Sequence, residues 1–312
     1  MLRLIAVGLL AGLFFSTTFI LNKAMSLGGG HWLWSASLRY LYMIVFLLAF
    51  VAATRGTAGL RRIFSRLLQH PLFWCLAGGI GFGGFYALIC FSTDYAPGWV
   101  IASTWQLTII ASLVVLRFFG RSFLFRTWIF SGIVFAGVAL VNLASLQNAG
   151  MRDLLLGGLP VLAAAFCYPI GNQLVWEASH GNRRLPDIGG DLPEHPLDKV
   201  LLLSLGSLPV WIVLVAILRP PLPSTGQLVT TAMVAIFSGV VATGFFLAAR
   251  NRAKTAGELA AVDATQSSEV VFAMLGEILF LHAALPNAVA LWGIVLVFTG
   301  LGLFIGLQKG QG

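Results

Sequence analysis

Charge is what this chain has least of. Asp, Glu, Lys and Arg together make up 10% of its 312 residues, against about 25% in ordinary soluble domains, which excludes a water-covered globular surface. Cysteine is scarce too. Cys75, Cys90 and Cys167 fall inside apolar runs at no metal-ligand spacing, so neither a disulfide framework nor a zinc site is expected. The histidines His31, His70, His180, His195 and His282 stand apart from one another, at the edges of those runs or in loops. No His/Glu zinc motif, nucleophile elbow or nucleotide-binding fold can be assembled from them. The glycines Gly78, Gly79, Gly81, Gly83 and Gly84 form no phosphate loop, because no strand precedes them; close helix packing is their expected use. No metal, no cofactor and no enzymatic activity are expected.

What the chain does have is hydrophobic length. Ten apolar runs are legible: Leu4 to Leu21, Trp32 to Ala52, Leu72 to Ser92, Gly98 to Leu116, Phe125 to Leu146, Leu154 to Val175, Leu201 to Leu218, Leu228 to Ala249, Leu259 to Leu281 and Ala288 to Leu307. Each is near the roughly 20 residues a helix needs to cross the hydrocarbon layer. Without water there, backbone groups must pair within their own segment, so the crossings are helices. The first run resembles a signal peptide, but its apolar part is too long and no small-x-small cleavage site follows; it is expected to be retained.

The basic residues then orient the chain. If the termini share a side with the even-numbered loops, that side holds Arg3, Arg55, Arg61, Arg62, Arg66, Arg117, Arg121, Arg126, Arg183, Arg184, Lys199, Arg250, Arg252, Lys254 and Lys309, while Lys23, Arg152 and Arg219 face the other. Fifteen against three predicts cytoplasmic termini. The remaining basic residue, Arg39, lies inside the second run. The net charge of +8 is the sum of these loops facing an anionic leaflet, so membrane lipid rather than nucleic acid is the expected partner.

The halves of the chain match each other weakly but in order. At an offset of 150, Leu4/Leu154, Gly8/Gly158, Leu9/Leu159, Ile20/Ile170 and Asn22/Asn172 coincide; at 160, Gly84/Gly244, Phe85/Phe245, Ala96/Ala256 and Gln106/Gln266 do; at 161, Gly132-Ile133-Val134 meets Gly293-Ile294-Val295. The jump falls at the polar loop 177–199, which reads as an insertion. Five helices is an odd number, so the second repeat (151–308) enters the membrane opposite to the first (1–147). This 5+5 inverted repeat is a plan of secondary transporters, with the substrate site near the midplane.

The stretch Phe15-Ser-Thr-Thr-Phe-Ile-Leu-Asn-Lys-Ala-Met25, the start Ser37-Leu-Arg-Tyr40 of the second helix and Gln266-Ser-Ser-Glu-Val-Val-Phe-Ala-Met-Leu-Gly-Glu277 in the ninth together resemble the drug/metabolite transporter superfamily, nearest its ten-helix multidrug-resistance efflux branch. The resemblance covers nearly the whole chain. It implies a central cavity lined by the first, third, fourth, sixth, eighth and ninth helices, with the fifth and tenth as scaffold. The four-helix members of that superfamily carry a membrane-embedded glutamate in their first helix; here the first helix has no acid, so that coupling residue cannot be carried over.

An ionisable side chain at membrane depth costs roughly 2.5 to 3.5 kcal/mol on insertion scales, so acids within spans are the first candidates. The ninth helix carries Asp263, Glu269 and Glu277. Glu269, near the midplane, is the expected proton or cation site, on one stripe with Gln266, Ala273 and Gly276. Gln106, Asn22 and Asn172 offer amide donors and acceptors, and Trp105 and Tyr86 offer aromatic faces for a flat cation. Asp263 is expected to meet Arg250 or Lys254 at the inner mouth. Arg39 and Glu277, at similar depth, are expected to form a structural ion pair, and Lys23 to reach the headgroups. The expected function is secondary-active efflux of small amphipathic or cationic compounds, proton-coupled, by alternating access, in a cell membrane of bacterial plasma-membrane type. The alternative is an uncoupled exporter of amino acids or nucleosides, and behind it a non-transporting scaffold or enzyme. A homodimer is one assembly open to it.

Overall fold

The structure is a computed structural model that describes residues 2–121, 125–145, 150–182, 184–188, 196–254 and 256–309. Leu146, Arg183, His195 and much of the polar insertion expected at 177–199 lie outside the described residues. No strand occurs among the described residues. The helices are α1 (Leu2–Leu27), α2 (Trp32–Gln69), α3 (Pro71–Ser92), α4 (Gly98–Phe118), α5 (Phe125–Ser145), α6 (Met151–Ser179), α7 (Pro196–Leu218), α8 (Thr225–Arg252), α9 (256–281) and α10 (Ala288–Lys309). Among the described residues nine are long and apolar enough to cross a membrane; the apolar part of α10, Ala288–Leu303, is shorter. This is a multi-pass membrane protein.

Packing follows a regular scheme. α1 lies against α8 and α9, while α6 lies against α3 and α4; α2 meets α7 and α8, and α7 meets α2 and α3. α5 and α10 pack chiefly on each other, crossing where Gly137 and Gly293 face each other's carbonyl oxygens. Small residues set the closest approaches, as hydrocarbon supplies no hydrophobic drive between helices. At the α3–α6 crossing a Cβ on Gly81 would stand 2.9 Å from the Cα of Gly171.

Several helices are not uniform. α3 runs as Pro71–Gly78, a widened π segment Gly79–Gly84 and Phe85–Ser92; α8 has the same widening at Ala235–Ala242. α4 breaks after Gly98–Trp105 and resumes at Thr108–Phe118, and α9 runs as Ala256–Ala264, a tight 3₁₀ turn Thr265–Ser267 and Ser268–Leu281. The offset of 160 that pairs Gln106 with Gln266 in the sequence also relates the break in α4 to that in α9, and overlaps the two widened segments.

α2 departs most from expectation. Its apolar run ends at Ala52, yet the helix continues to Gln69 across a bend at Gly56, where φ is +62°. Only glycine adopts that conformation readily. Just before the bend, Arg55 grips the buried carboxylate of Asp198 at the start of α7 with both guanidinium Nη atoms, Nη1 at 2.6 Å. The 53–69 stretch reads as a polar loop by composition, and this fork holds it as structure.

Candidate functional site

The break in α9 places Gln266 in the tight turn and Glu269 in the first turn of the following segment, Ser268–Leu281. Mid-helix 3₁₀ turns often mark functional hinges, and a helix start favours an acid. Glu269 is 6% exposed, and among the described residues no hydrogen bond or ion pair reaches its carboxylate. A buried acid normally has a partner, because an unpaired buried charge is strongly unfavourable.

The matching break in α4 follows Trp105. Its ring lies 4.7 Å, centroid to centroid, from Phe85 of α3 and 5.7 Å from Tyr168 of α6, and Phe85 and Tyr168 are 5.3 Å apart. Tyr168 is 37% exposed, although it touches α3 and α4 and lies within electrostatic reach of Glu269, Arg250 and Arg39 on three other helices. It is the one exposed ring of the three. Sequence reasoning missed it. The signal available was Pro169, which interrupts helix hydrogen bonding directly after it.

The other expected residues are distributed unevenly. Gln266 is half-buried, and Asn172, also half-buried, donates to the Tyr168 carbonyl at 3.0 Å. Gln106 is buried and donates to the Ala102 carbonyl of its own helix at 3.3 Å. Asp263 pairs with Arg250 at 3.2 Å, one of the two partners expected. Tyr86 and Asn22 are both buried. Tyr86 is fully enclosed, and its hydroxyl accepts from Asn22 Nδ2 at 2.9 Å.

The expected ion pair is absent, which corrects the sequence reading. Arg39 donates to Ser238 Oγ at 3.1 Å, itself reached by Thr18 Oγ1 at 2.6 Å, and its guanidinium lies 4.1 Å over the Tyr86 ring. Glu277, 1% exposed, instead accepts the Gly98 backbone N–H at 2.6 Å. The N-terminus of α4 has no side-chain cap, so its orphan donors draw the carboxylate. Lys23 also turns inward rather than to headgroups: it donates to the Thr93 carbonyl at 2.7 Å and lies within electrostatic reach of Glu277. A cavity of about 310 Å³ lies among Tyr95, Trp99, Asn142, Asp153 and Asn287; none of the expected site residues lines it.

Residues 2–310 match the model of the EmrE family, described as "Putative multidrug resistance efflux transporter". The chain belongs to this family. The chain is 38% identical over 316 residues to "Uncharacterized protein YjlA" of Bacillus subtilis (strain 168), covering 96% of this chain and 93% of that one. It is 34% identical over 280 residues to "Uncharacterized 42.1 kDa protein in intracellular alkaline protease 3'region" of Shouchella clausii, covering 86% and 70%. A solved structure described only as "Crystal structure of protein" superposes with a TM-score of 0.63 at 15% identity over 99% of this chain and 98% of that chain, a likeness of fold alone. EmrE-family membership makes this a membrane transporter of the drug/metabolite transporter superfamily, as the short motifs around Asn22, Arg39 and Glu269 implied.

Proposed function

We propose that the protein is a secondary-active, proton-coupled exporter of small amphipathic or cationic compounds, working by alternating access between two inverted five-helix repeats with both termini in the cytoplasm. The observation that carries this reading is the buried carboxylate of Glu269 at the break of α9, which no hydrogen bond or ion pair reaches among the described residues. A carboxylate in that position is neutralised by a proton or by a cationic cargo, and exchanging one for the other keeps it compensated at each stage. The Phe85–Trp105–Tyr168 cluster supports a flat, apolar or cationic cargo, worth roughly 0.5 to 2 kcal/mol per cation–π contact.

Two features support the repeat. Several of the main contacts recur when each helix number is shifted by five, so α1 on α8 and α9 becomes α6 on α3 and α4, and α2 on α8 becomes α7 on α3. The backbone irregularities of α3 and α4 also recur in α8 and α9. Similar halves can exchange conformations, giving two states of comparable energy that face opposite sides. Flux into proteoliposomes of a panel of organic cations, with and without an imposed pH gradient, tests the proposal. Uptake driven by the gradient is the expected result; flux indifferent to the gradient would leave an uncoupled exporter instead.

A further inference from the structure

After the bend at Gly56, the 57–69 stretch carries two unlike exposed faces. At 100° per residue, Gly59 and Ile63 lie on one side and are buried against the protein, where the Arg66 carbonyl accepts the Trp74 Nε1–H at 3.2 Å. Leu60, half-buried and packed on the core, begins the neighbouring stripe, which Phe64, 40% exposed, and Leu68, 72% exposed, continue at i+4 and i+8. Beyond it lies a polar face of Arg61, Arg62, Ser65 and Gln69, all exposed. Arg61 and Arg62 have no acidic partner among the described residues.

The apolar stripe does not stop at the end of the helix. It runs on into Leu72, 84% exposed, and Leu76, 54% exposed, on the outer surface of α3, which as part of a spanning helix faces lipid tails. A stripe continuous with the lipid-facing surface and flanked by unpaired arginines fits a single occupant. We propose that the 57–69 arm lies in the plane of the membrane, with Phe64 and Leu68 sunk to the acyl boundary and Arg61 and Arg62 on anionic phospholipid headgroups. An interfacial helix of this kind joins a buried apolar side to electrostatic attraction. Because Arg55, on the other side of the Gly56 bend, holds Asp198 of α7, the arm is anchored to the bundle at both ends.

The test uses the full-length protein in nanodiscs of phosphatidylglycerol or phosphatidylcholine, with Cys75, Cys90 and Cys167 replaced by Ala. Spin labels are placed by Phe64→Cys, Leu68→Cys, Ser65→Cys and Gln69→Cys. Labels at 64 and 68 are expected to be relaxed by oxygen, and those at 65 and 69 by a water-soluble nickel chelate. A second measurement needs no label: native mass spectrometry of the unlabelled protein compares retention of the two lipids. The protein is expected to prefer phosphatidylglycerol, and Arg61→Gln with Arg62→Gln to lower that preference by about fivefold per arginine. Raising the salt should weaken it as well. Nickel access at 64 and 68, shielding of those positions from both reagents as under a protein partner, or equal retention of the two lipids by the unsubstituted protein would each overturn the proposal.

Discussion

Glu269 and Glu277 lie eight residues apart on α9, both buried, and the protein treats them in opposite ways. Glu277 is held: the Gly98 amide donates to it at 2.6 Å, and Lys23 lies close enough to offset its charge. Glu269 is buried too, but among the described residues no hydrogen bond or ion pair reaches its carboxylate. The contrast teaches that depth in a membrane helix does not decide an acid's role; the donors that face it do. An acid with fixed donors is bound into the fold, whereas one without them remains free to exchange partners.

The contrast can be broken from the Glu277 side first, where the largest losses of stability are expected. A Cβ on Gly98 would stand 2.6 Å from Glu277 Oε1 and 2.7 Å from the Phe19 carbonyl oxygen, so Gly98→Val should destabilise by about 1 to 3 kcal/mol or more through overpacking. Its readout is the thermal midpoint in detergent. Glu277→Gln keeps an acceptor for the amide but loses the charge assistance, for an expected loss of about 1 to 2 kcal/mol in the same assay. Lys23 is half-buried and its attraction to Glu277 is partly screened, so Lys23→Met should cost less than about 1 kcal/mol. Smallest of all is Glu269→Gln: with no partner to lose and a costly buried acid removed, the midpoint should stay or rise. If Glu269→Gln destabilised as much as Glu277→Gln, the distinction between the two acids would fail.

Reading the sequence reached the apolar spans, because length and composition are one-dimensional properties; the role of Glu269 and the pairing of Gln106 with Gln266 belong to the proposal. It did not reach the partner of Glu277. Depth gave Arg39 as a neighbour, but the donor is a backbone N–H at the start of α4, and a peptide group has no signature in the residue string. Tyr86 and Asn22 were legible as polar groups beside aromatics, yet the direction in which each faces depends on how α1 and α3 rotate against each other. Tyr168 was hidden for the opposite reason: an aromatic in an aromatic-rich chain is distinguished only by its exposure among packed rings. The continuation of α2 past Ala52 was masked because Arg55, Gly56 and Arg61 have loop composition, while the fork onto Asp198 lies far along the chain.

The most direct test of the central claim is flux through Glu269→Gln. Purified protein and variant are reconstituted into proteoliposomes, and uptake of an organic cation carried by the unsubstituted protein is followed with a pH gradient across the membrane and without one. The account predicts that the gradient drives uptake by the unsubstituted protein and that its cation affinity rises with pH, as a proton and the cation compete for one carboxylate. In Glu269→Gln both effects should vanish, while the thermal midpoint holds and gradient-independent exchange persists at most weakly. Gradient-driven uptake that is unchanged in Glu269→Gln would contradict it, and would remove this carboxylate from the mechanism.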